Sequence, residues 1–427
     1  MEGFPTSDDR SRGDLLAQPA SARVRHLLAV AREQFAARGF DAVSIDAIAR
    51  ASAVSKETIY RYYPDKEALF RAAVEDMGTE FSARVTSMPL AGTSPESSLA
   101  PFARAILDAT VDGGLLSAAW VAISIARIMP EFAAGLQHGQ SARLEPLRVL
   151  LEEIAAGEGR ARPVALDLAV DFGSLAAESP ALLMGFPGPS AAHREIVARR
   201  VAGLFHRGVL GFEEHDPDER LPTCPAPAAG GPCAPHIRKL LDVASAHFLA
   251  SGYQGSSLDV IGAEAAVGRG TLYRHFGSKA GLFAATMRDL AHTLAVTDPP
   301  PLPAGDAEPP ALAAFLEANL RVLGSARSIA LHRTVIAEMR RDPELARDIF
   351  AILREPWLRP LTAWLYSLAA AGRVRLHDHA WYARQALVLA LKGNRVIASG
   401  QALAPEEATP AARPAAVLFL HGFAAAT

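Results

Sequence analysis

The sequence predicts an all-α protein built as a tandem duplication of two helical units. Three observations carry that prediction. The stretch at residues 54–70, VSKETIYRYYPDKEALF, recurs at 267–283 as VGRGTLYRHFGSKAGLF. In it Val54, Thr58, Tyr60, Arg61, Lys66, Leu69 and Phe70 return as Val267, Thr271, Tyr273, Arg274, Lys279, Leu282 and Phe283, each 213 positions on. Apolar residues elsewhere follow helical spacing, and no stretch alternates as a strand would. Half of the 427 residues are hydrophobic while only 7% are aromatic, a balance that suits helices packed on helices.

The first helix follows from Val24, Leu27, Leu28, Ala31 and Phe35, which line one face and run to Gly39. Ile237, Leu240, Leu241, Ala244 and Phe248 repeat it up to Gly252. Glycine at that place admits the positive φ that closes a helix. Ser44 caps a second helix carrying Ile45, Ile48 and Ala49, with Ser257, Leu258 and Ile261 as counterparts. A short third helix is broken by Pro64 or Gly277. A fourth starts after Asp65 or Ser278, either of which can accept the free N–H groups of a helix start. Three short helices with buried faces in register make a compact head.

Beyond each head lies a long helical body. In the first, Leu99, Phe102, Ile106, Trp120, Ile123, Ile128 and Phe132 form the expected core. Pro130-Glu131-Phe132 returns as Pro343-Glu344-Leu345, and Gly159-Arg160 as Gly372-Arg373, so the duplication covers the bodies too. Two apolar helical stretches, 165–184 and 192–212, close the first unit. In the second, Pro405, Pro410 and Pro414 interrupt the corresponding segment, and an interior proline costs about 3 kcal/mol. The last helix is therefore expected to be short, over 415–423. Residues 213–235, EEHDPDERLPTCPAPAAGGPCAP, read as a linker, acidic and then rich in Pro, Ala and Gly. Extended, it spans roughly 65–70 Å, enough for the two halves to pair within one chain. Such linkage raises the effective concentration of one half near the other toward the mM range. The expected organisation is a disordered tail at 1–20, heads at 21–78 and 236–291, bodies at 79–212 and 292–427, and the linker between.

Composition narrows the function classes. The formal net charge is −3, so nucleic-acid affinity has to come from local placement. Residues 24–77 hold eight basic and eight acidic side chains, whereas 237–290 hold six and four. The two cysteines, Cys224 and Cys233, make no disulfide framework or zinc site and fit a reducing, cytoplasmic compartment. The N-terminal segment lacks the apolar core of a signal peptide, and the longest apolar run, 118–129, contains Arg127 and reads as a buried helix rather than a membrane span. No Walker loop, HExxH, GxSxG or strand-borne GxGxxG occurs, so no enzyme, cofactor or metal is expected. His377-Asp378-His379 is expected to be a solvated turn.

The run S-K-x-T-I/L-Y-R-Y/H-Y/F-x-x-K-x-x-L-F resembles the recognition-helix signature of TetR/AcrR-type transcriptional repressors, and the chain looks like two such units fused head to tail. The resemblance implies a double-stranded DNA operator, a small apolar or amphipathic effector held in the helical bodies, and pairing of the last two helices of each unit as a four-helix bundle. Base contact falls to Ser55, Lys56, Glu57 and Arg61, with Arg269, Gly270 and Arg274 in the second head after the glycine Gly268. Tyr60, Tyr62 and Lys66, with Tyr273, His275 and Lys279, resemble phosphate-gripping positions. Ser44, Thr58, Ser257 and Thr271 complete the DNA-facing set, although Thr58, with Val54, Ile59, Leu69 and Phe70, falls on the inward side. Plainer roles compete: a solvated charge beside a cap for Lys66 and Lys279, a half-buried structural ring for Tyr60 and Tyr273, an Asp65 partner for Arg61. Trp120, Phe132, Phe172, Trp357, Trp364, Tyr366 and Trp381 are candidates to line an effector cavity or to be ordinary core. The function expected is a sequence-specific regulator, a repressor released by a small molecule. The alternatives are a regulator with one DNA-reading head, or a ligand-binding or protein-interaction scaffold without DNA. Self-association is expected as a single-chain pseudo-dimer or as a homodimer.

Overall fold

The structure, a computed structural model, describes residues 22–86, 94–112, 115–116, 119–120, 123, 131, 144–160, 163–177, 179–215 and 235–426. The expected tail, Ile128, Phe132, Cys224, Cys233 and most of the expected linker lie outside them. Two compact units result, one through Phe81 and one from Ser82 onward. Among the described residues every regular element is a helix, and the only β pairing is an isolated parallel bridge between Glu213 and Arg375. Among the described residues no helix is long and apolar enough to cross a membrane.

The duplication extends to helix bounds. The first head consists of α1 (Ala22–Ala42), α2 (Ile45–Ser52), α3 (Lys56–Tyr62) and the start of α4 (Lys66–Thr86). The first body follows with α5 (Pro95–Val111), α6 (Glu145–Gly157), α7 (Leu166–Ala177), α8 (Ser179–Leu183) and α9 (Ala191–Gly211). The second head comprises α10 (Pro235–Gly255), α11 (Leu258–Ala265), α12 (Arg269–Phe276) and α13 (Lys279–Ala295). The second body holds α14 (Pro309–Leu323), α15 (Ala326–Glu338), α16 (Pro343–Ala370), α17 (His379–Ala390), α18 (Arg395–Ser399), α19 (Pro405–His421) and α20 (Phe423–Ala426). Both ends of α1, α2 and α7 recur 213 positions on in α10, α11 and α17. The first helix runs on past Gly39 to Ala42; in its copy the backbone breaks at Gly252 (φ 68°) and one more turn follows.

The second unit is organised by the pairing of the two bodies. Helix α7 touches α9 and α17, and α19 touches α9 and α17, closing a four-helix bundle from both halves of the chain. Here the expectation of a short final helix is overturned, because α19 is continuous over 17 residues. Pro405 occupies its first turn, where its missing N–H has no helical partner to lose. Pro410 and Pro414 lie four apart on the solvent face, and the carbonyls they leave unpaired, on Glu406 and Pro410, belong to exposed residues that water can satisfy. The buried face of Ala408, Ala412, Ala415, Ala416 and Phe419 is uninterrupted.

Where α9 and α19 end against each other, the backbones approach too closely for side chains. A Cβ on Gly208 (φ +65°) would lie 2.4 Å from the backbone of Leu420 and His421, and one on Gly422 (φ +76°) 2.3 Å from the His206 carbonyl. Phe205 stacks on Phe423 across this crossing, with ring centroids 5.7 Å apart. The first residues of the expected linker belong to the same interface. Glu214 is buried, its carboxylate bonded to Nε of the fully buried Arg200 and accepting from the His377 amide at 2.6 Å. Asp378 sits 3.6 Å from the same guanidinium and caps α17 by accepting from the Trp381 amide. Asp378 and His379 are therefore buried, against the expectation of a solvated turn. The residue 213 positions beyond Arg200, Arg413, is exposed, so this charged cluster exists on one side only. Replacing Arg200 with Met leaves two carboxylates buried without their cation, and unfolding in denaturant is expected to show a loss of about 3–5 kcal/mol. Arg413→Met should be close to neutral; equal effects would contradict a charged cluster on one side only.

A second buried polar pair lies in the second body. His332 is fully buried; its Nδ1 faces the Ser328 carbonyl at 2.7 Å, and Arg354 donates to its Nε2 at 3.0 Å. Burial, reinforced by the neighbouring guanidinium, pushes the imidazole pKa down to about 3. Because the folded value lies below the unfolded one, the unfolded chain takes up the proton first as pH falls. Stability from this site is complete above about pH 6.5 and declines by about 1.4 kcal/mol per pH unit down to about pH 3. His332→Gln is expected to flatten the decline between pH 6.5 and 5 in denaturant titrations. Parallel wild-type and variant curves would contradict the assignment.

Candidate nucleic-acid interface

Each head presents its short third helix on a turn made by a residue that ordinarily avoids the required conformation. Ala53 (φ 53°) and Ala266 (φ 57°), 213 positions apart, both take the left-handed conformation. That conformation costs a non-glycine residue roughly 1–2 kcal/mol, so the surrounding packing has to impose it. The imposing contacts are backbone bonds from Val54 to Ala49 (3.2 Å) and from Val267 to Gly262 (2.8 Å), with Ile59 or Leu272 buried beneath the helix.

In the first head Ser55 caps α3, its Oγ accepting from the Thr58 amide at 3.2 Å and meeting Thr58 Oγ1 at 2.9 Å. Ser55 and Thr58 therefore form the helix cap, with Thr58 partly buried. Lys56, Glu57, Tyr60 and Arg61 project outward and are exposed. In the second head Gly268 takes the cap position without a side chain, and Arg269, Gly270, Tyr273, Arg274 and His275 are exposed. Tyr60 and Tyr273 are each 49% exposed, half-buried to the same degree in both heads. Arg61 lies 5.3 Å over the Tyr62 ring rather than on Asp65, whose Oδ1 instead accepts from the Ala68 amide at the start of α4. Ser278 caps α13 in the same way. Ser44 caps α2 through the Ala47 amide, whereas Ser257 occupies the matching position without a side-chain cap bond.

Two features of the heads escape a reading of the recognition helix alone. Lys56 forms an ion pair with Asp46, and Arg269 forms the same pair with Asp259 at 2.7 Å. The two carboxylates stand 213 positions apart, so the signal was an identical aspartate on the preceding helix. These pairs are exposed and worth about 0–1 kcal/mol, little enough for a phosphate or base edge to displace. Secondly, Lys66 lies 4.3 Å over the Phe40 ring and Lys279 lies 4.8 Å over the Tyr253 ring, while Lys279 also donates to the Gln254 carbonyl. An aromatic residue at 40 and at 253 thus supports the ammonium group in both copies, which gives these lysines a built position rather than a free one.

The second head is also tied to its body. Tyr253 carries Arg341 on its ring at 4.3 Å as well as Lys279, and Arg288 on α13 bonds Asp348 on α16 at 2.7 Å.

The outward faces differ where Glu57 in one head is replaced by Gly270 in the other. A Cβ on Gly270 would meet nothing within 4 Å, so packing does not require glycine there. Gly270→Glu is expected to fold and to weaken DNA binding about tenfold, because an added carboxylate repels phosphate. Glu57→Gly should strengthen binding. Titration of labelled duplex with each variant tests the pair, and equal affinities would contradict a DNA-facing position.

Comparison with known proteins gives consistent matches. Residues 27–73 and 240–286 both match the family described as bacterial regulatory proteins, tetR family. Residues 310–425 match the C-terminal domain of AefR-like transcriptional repressors. A 49-residue stretch is 47% identical to the protein described as mycofactocin biosynthesis transcriptional regulator MftR of Mycobacterium tuberculosis (strain ATCC 25618 / H37Rv), covering 12% of this chain and 25% of that protein. Among solved structures, the flavonoid-responsive regulator FrrA is 26% identical over 43% of this chain and 94% of its own, with a TM-score of 0.37. The TetR-family regulator PfmR of Thermus thermophilus is 26% identical over 43% and 98%, with a TM-score of 0.32.

Proposed function

We propose that the chain, a TetR-type regulator with two matching heads, works as a single-chain pseudo-dimer whose two heads read unequal half-sites of one operator. The observation that carries the proposal is the repeated outward set: an exposed tyrosine, an exposed arginine, a lysine seated on an aromatic ring, and an aspartate-paired cation in the first turn of the reading helix. The first turn of α3 or α12 enters the major groove, and the tyrosine hydroxyl and lysine ammonium grip phosphates on either side. Lys56-Glu57 favours a different base pair from Arg269-Gly270, since arginine prefers guanine and glutamate accepts from cytosine. The half-sites then differ in sequence and lie about one helical turn, roughly 34 Å, apart.

Binding of this kind represses by occupying the operator. A small molecule bound by the helical bodies relieves it by moving the head against the body, and in the second half the Arg341–Tyr253–Lys279 stack and the Arg288–Asp348 pair join the two. Selection of bound duplexes from a random pool by the full chain, followed by titration of Lys56→Ala and Arg269→Ala, tests the proposal. Each substitution should weaken binding about tenfold and relax sequence choice in one half-site only. Loss confined to one head would leave a single reading head, and no enrichment at low salt would leave a scaffold without DNA.

A further inference from the structure

Between the two bodies lies a cleft of about 520 Å³ whose charge is unbalanced. One wall comes from the segment after α7 in the first half, with Leu182 and Phe186. The other comes from α16 and α17 in the second half, with Phe350, Tyr366 and Arg384. Phe186 and Phe350 meet across it at 5.0 Å, and Tyr366 is half exposed at its mouth. A smaller cavity of about 40 Å³, reaching the buried Arg354, shares the Arg384 and Phe350 sides.

The duplication shows what the cleft lacks. Asp171 in the first half corresponds to Arg384 in the second, and Ser179 corresponds to Lys392. On one side of the bundle, Asp171 and Lys392 close on each other at 2.6 Å, with Asp171 only 4% exposed. On the other side, Arg384 lines the cleft opposite the segment from Ala181 to Ser190, and among the described residues that segment supplies no carboxylate. The other cation of the mouth, Arg359, is already engaged by Glu355 at 3.5 Å. Among the described residues Arg384 makes no hydrogen bond or ion pair. A guanidinium on an apolar wall demands an anion attached to an apolar body.

We propose that this cleft binds one amphipathic carboxylic acid per chain, its carboxylate on Arg384 and its apolar part along Phe186, Phe350 and Leu182. The site lies between the bodies rather than inside either, and it occurs once because the equivalent place is filled by the Asp171–Lys392 pair. As the effector of DNA binding, the acid rests on the regulator reading above; as a ligand, it does not. By wedging between α8 and α16, it acts on the same helix that carries Asp348 against the second head.

Calorimetric titration of the full chain with dodecanoate and 2-naphthoate, each against its neutral counterpart, dodecanol and 2-naphthol, tests the site. At least one acid should bind with a stoichiometry of one and about tenfold or more tighter than its alcohol. Arg384→Gln should abolish that preference, and Ala363→Trp, which fills the cleft from an exposed position, should abolish binding of both; Arg413→Gln should change nothing. Equal binding of acid and alcohol, a preference that survives Arg384→Gln, or binding by neither acid would overturn the proposal. Operator titrations run in parallel separate the two layers. An acid that binds but leaves DNA affinity unchanged rejects the effector role alone, whereas a chain that selects no DNA rejects the regulator mechanism and leaves the calorimetry to decide the site.

Discussion

At the crossing of α9 and α19 the backbones of the two halves approach so closely that only hydrogen atoms fit at Gly208 and Gly422. The bundle, the buried Arg200–Glu214–Asp378 cluster and the inter-body cleft all depend on that approach. Apolar burial along α7, α9, α17 and α19 supplies the non-directional attraction, whereas the charged cluster fixes which surfaces meet. A buried guanidinium facing two carboxylates tolerates neither a slip in register nor a substitute partner without them. Because Glu214 comes from the start of the segment joining the halves, the covalent connection and the non-covalent interface begin at the same place.

Duplication followed by divergence has a physical consequence that two identical protomers cannot reach. In a symmetric pair, a residue and its copy sit in equivalent surroundings. Here Arg200 is buried while Arg413 is exposed, and Asp171 has a lysine while Arg384 has no counter-ion among the described residues. The bundle is thereby free to hold a lock on one side and a ligand cleft on the other. The same freedom reaches the heads, where one third helix opens with Lys-Glu and the other with Arg-Gly.

Much of the fold was legible in the sequence because the repeat and the helical spacing reported the same buried faces. Leu27, Phe35, Ile48, Ile59 and Phe70, with Leu240, Phe248, Ile261, Leu272 and Phe283, are all buried. The helix caps at Ser44, Asp65 and Ser278 were equally readable, since capping is a local property of a few residues. The final helix was misread because proline has a fixed local penalty while its setting is tertiary: Pro410 and Pro414 lie on the wet face, and the buried face holds the helix together. His377-Asp378-His379 was misread for the same reason, as nothing nearby in sequence announces Arg200. In the heads, the outward positions Lys56, Glu57, Tyr60 and Arg61 were legible from their pattern. Their aspartate partners and the aromatic seats of the two lysines were not, because those contacts join separate helices.

Native mass measurement of the protein bound to its selected duplex decides whether one chain supplies both reading heads. One chain per duplex is expected, with two half-sites of different sequence protected together. Two chains on a palindrome, each using the same head, would contradict it.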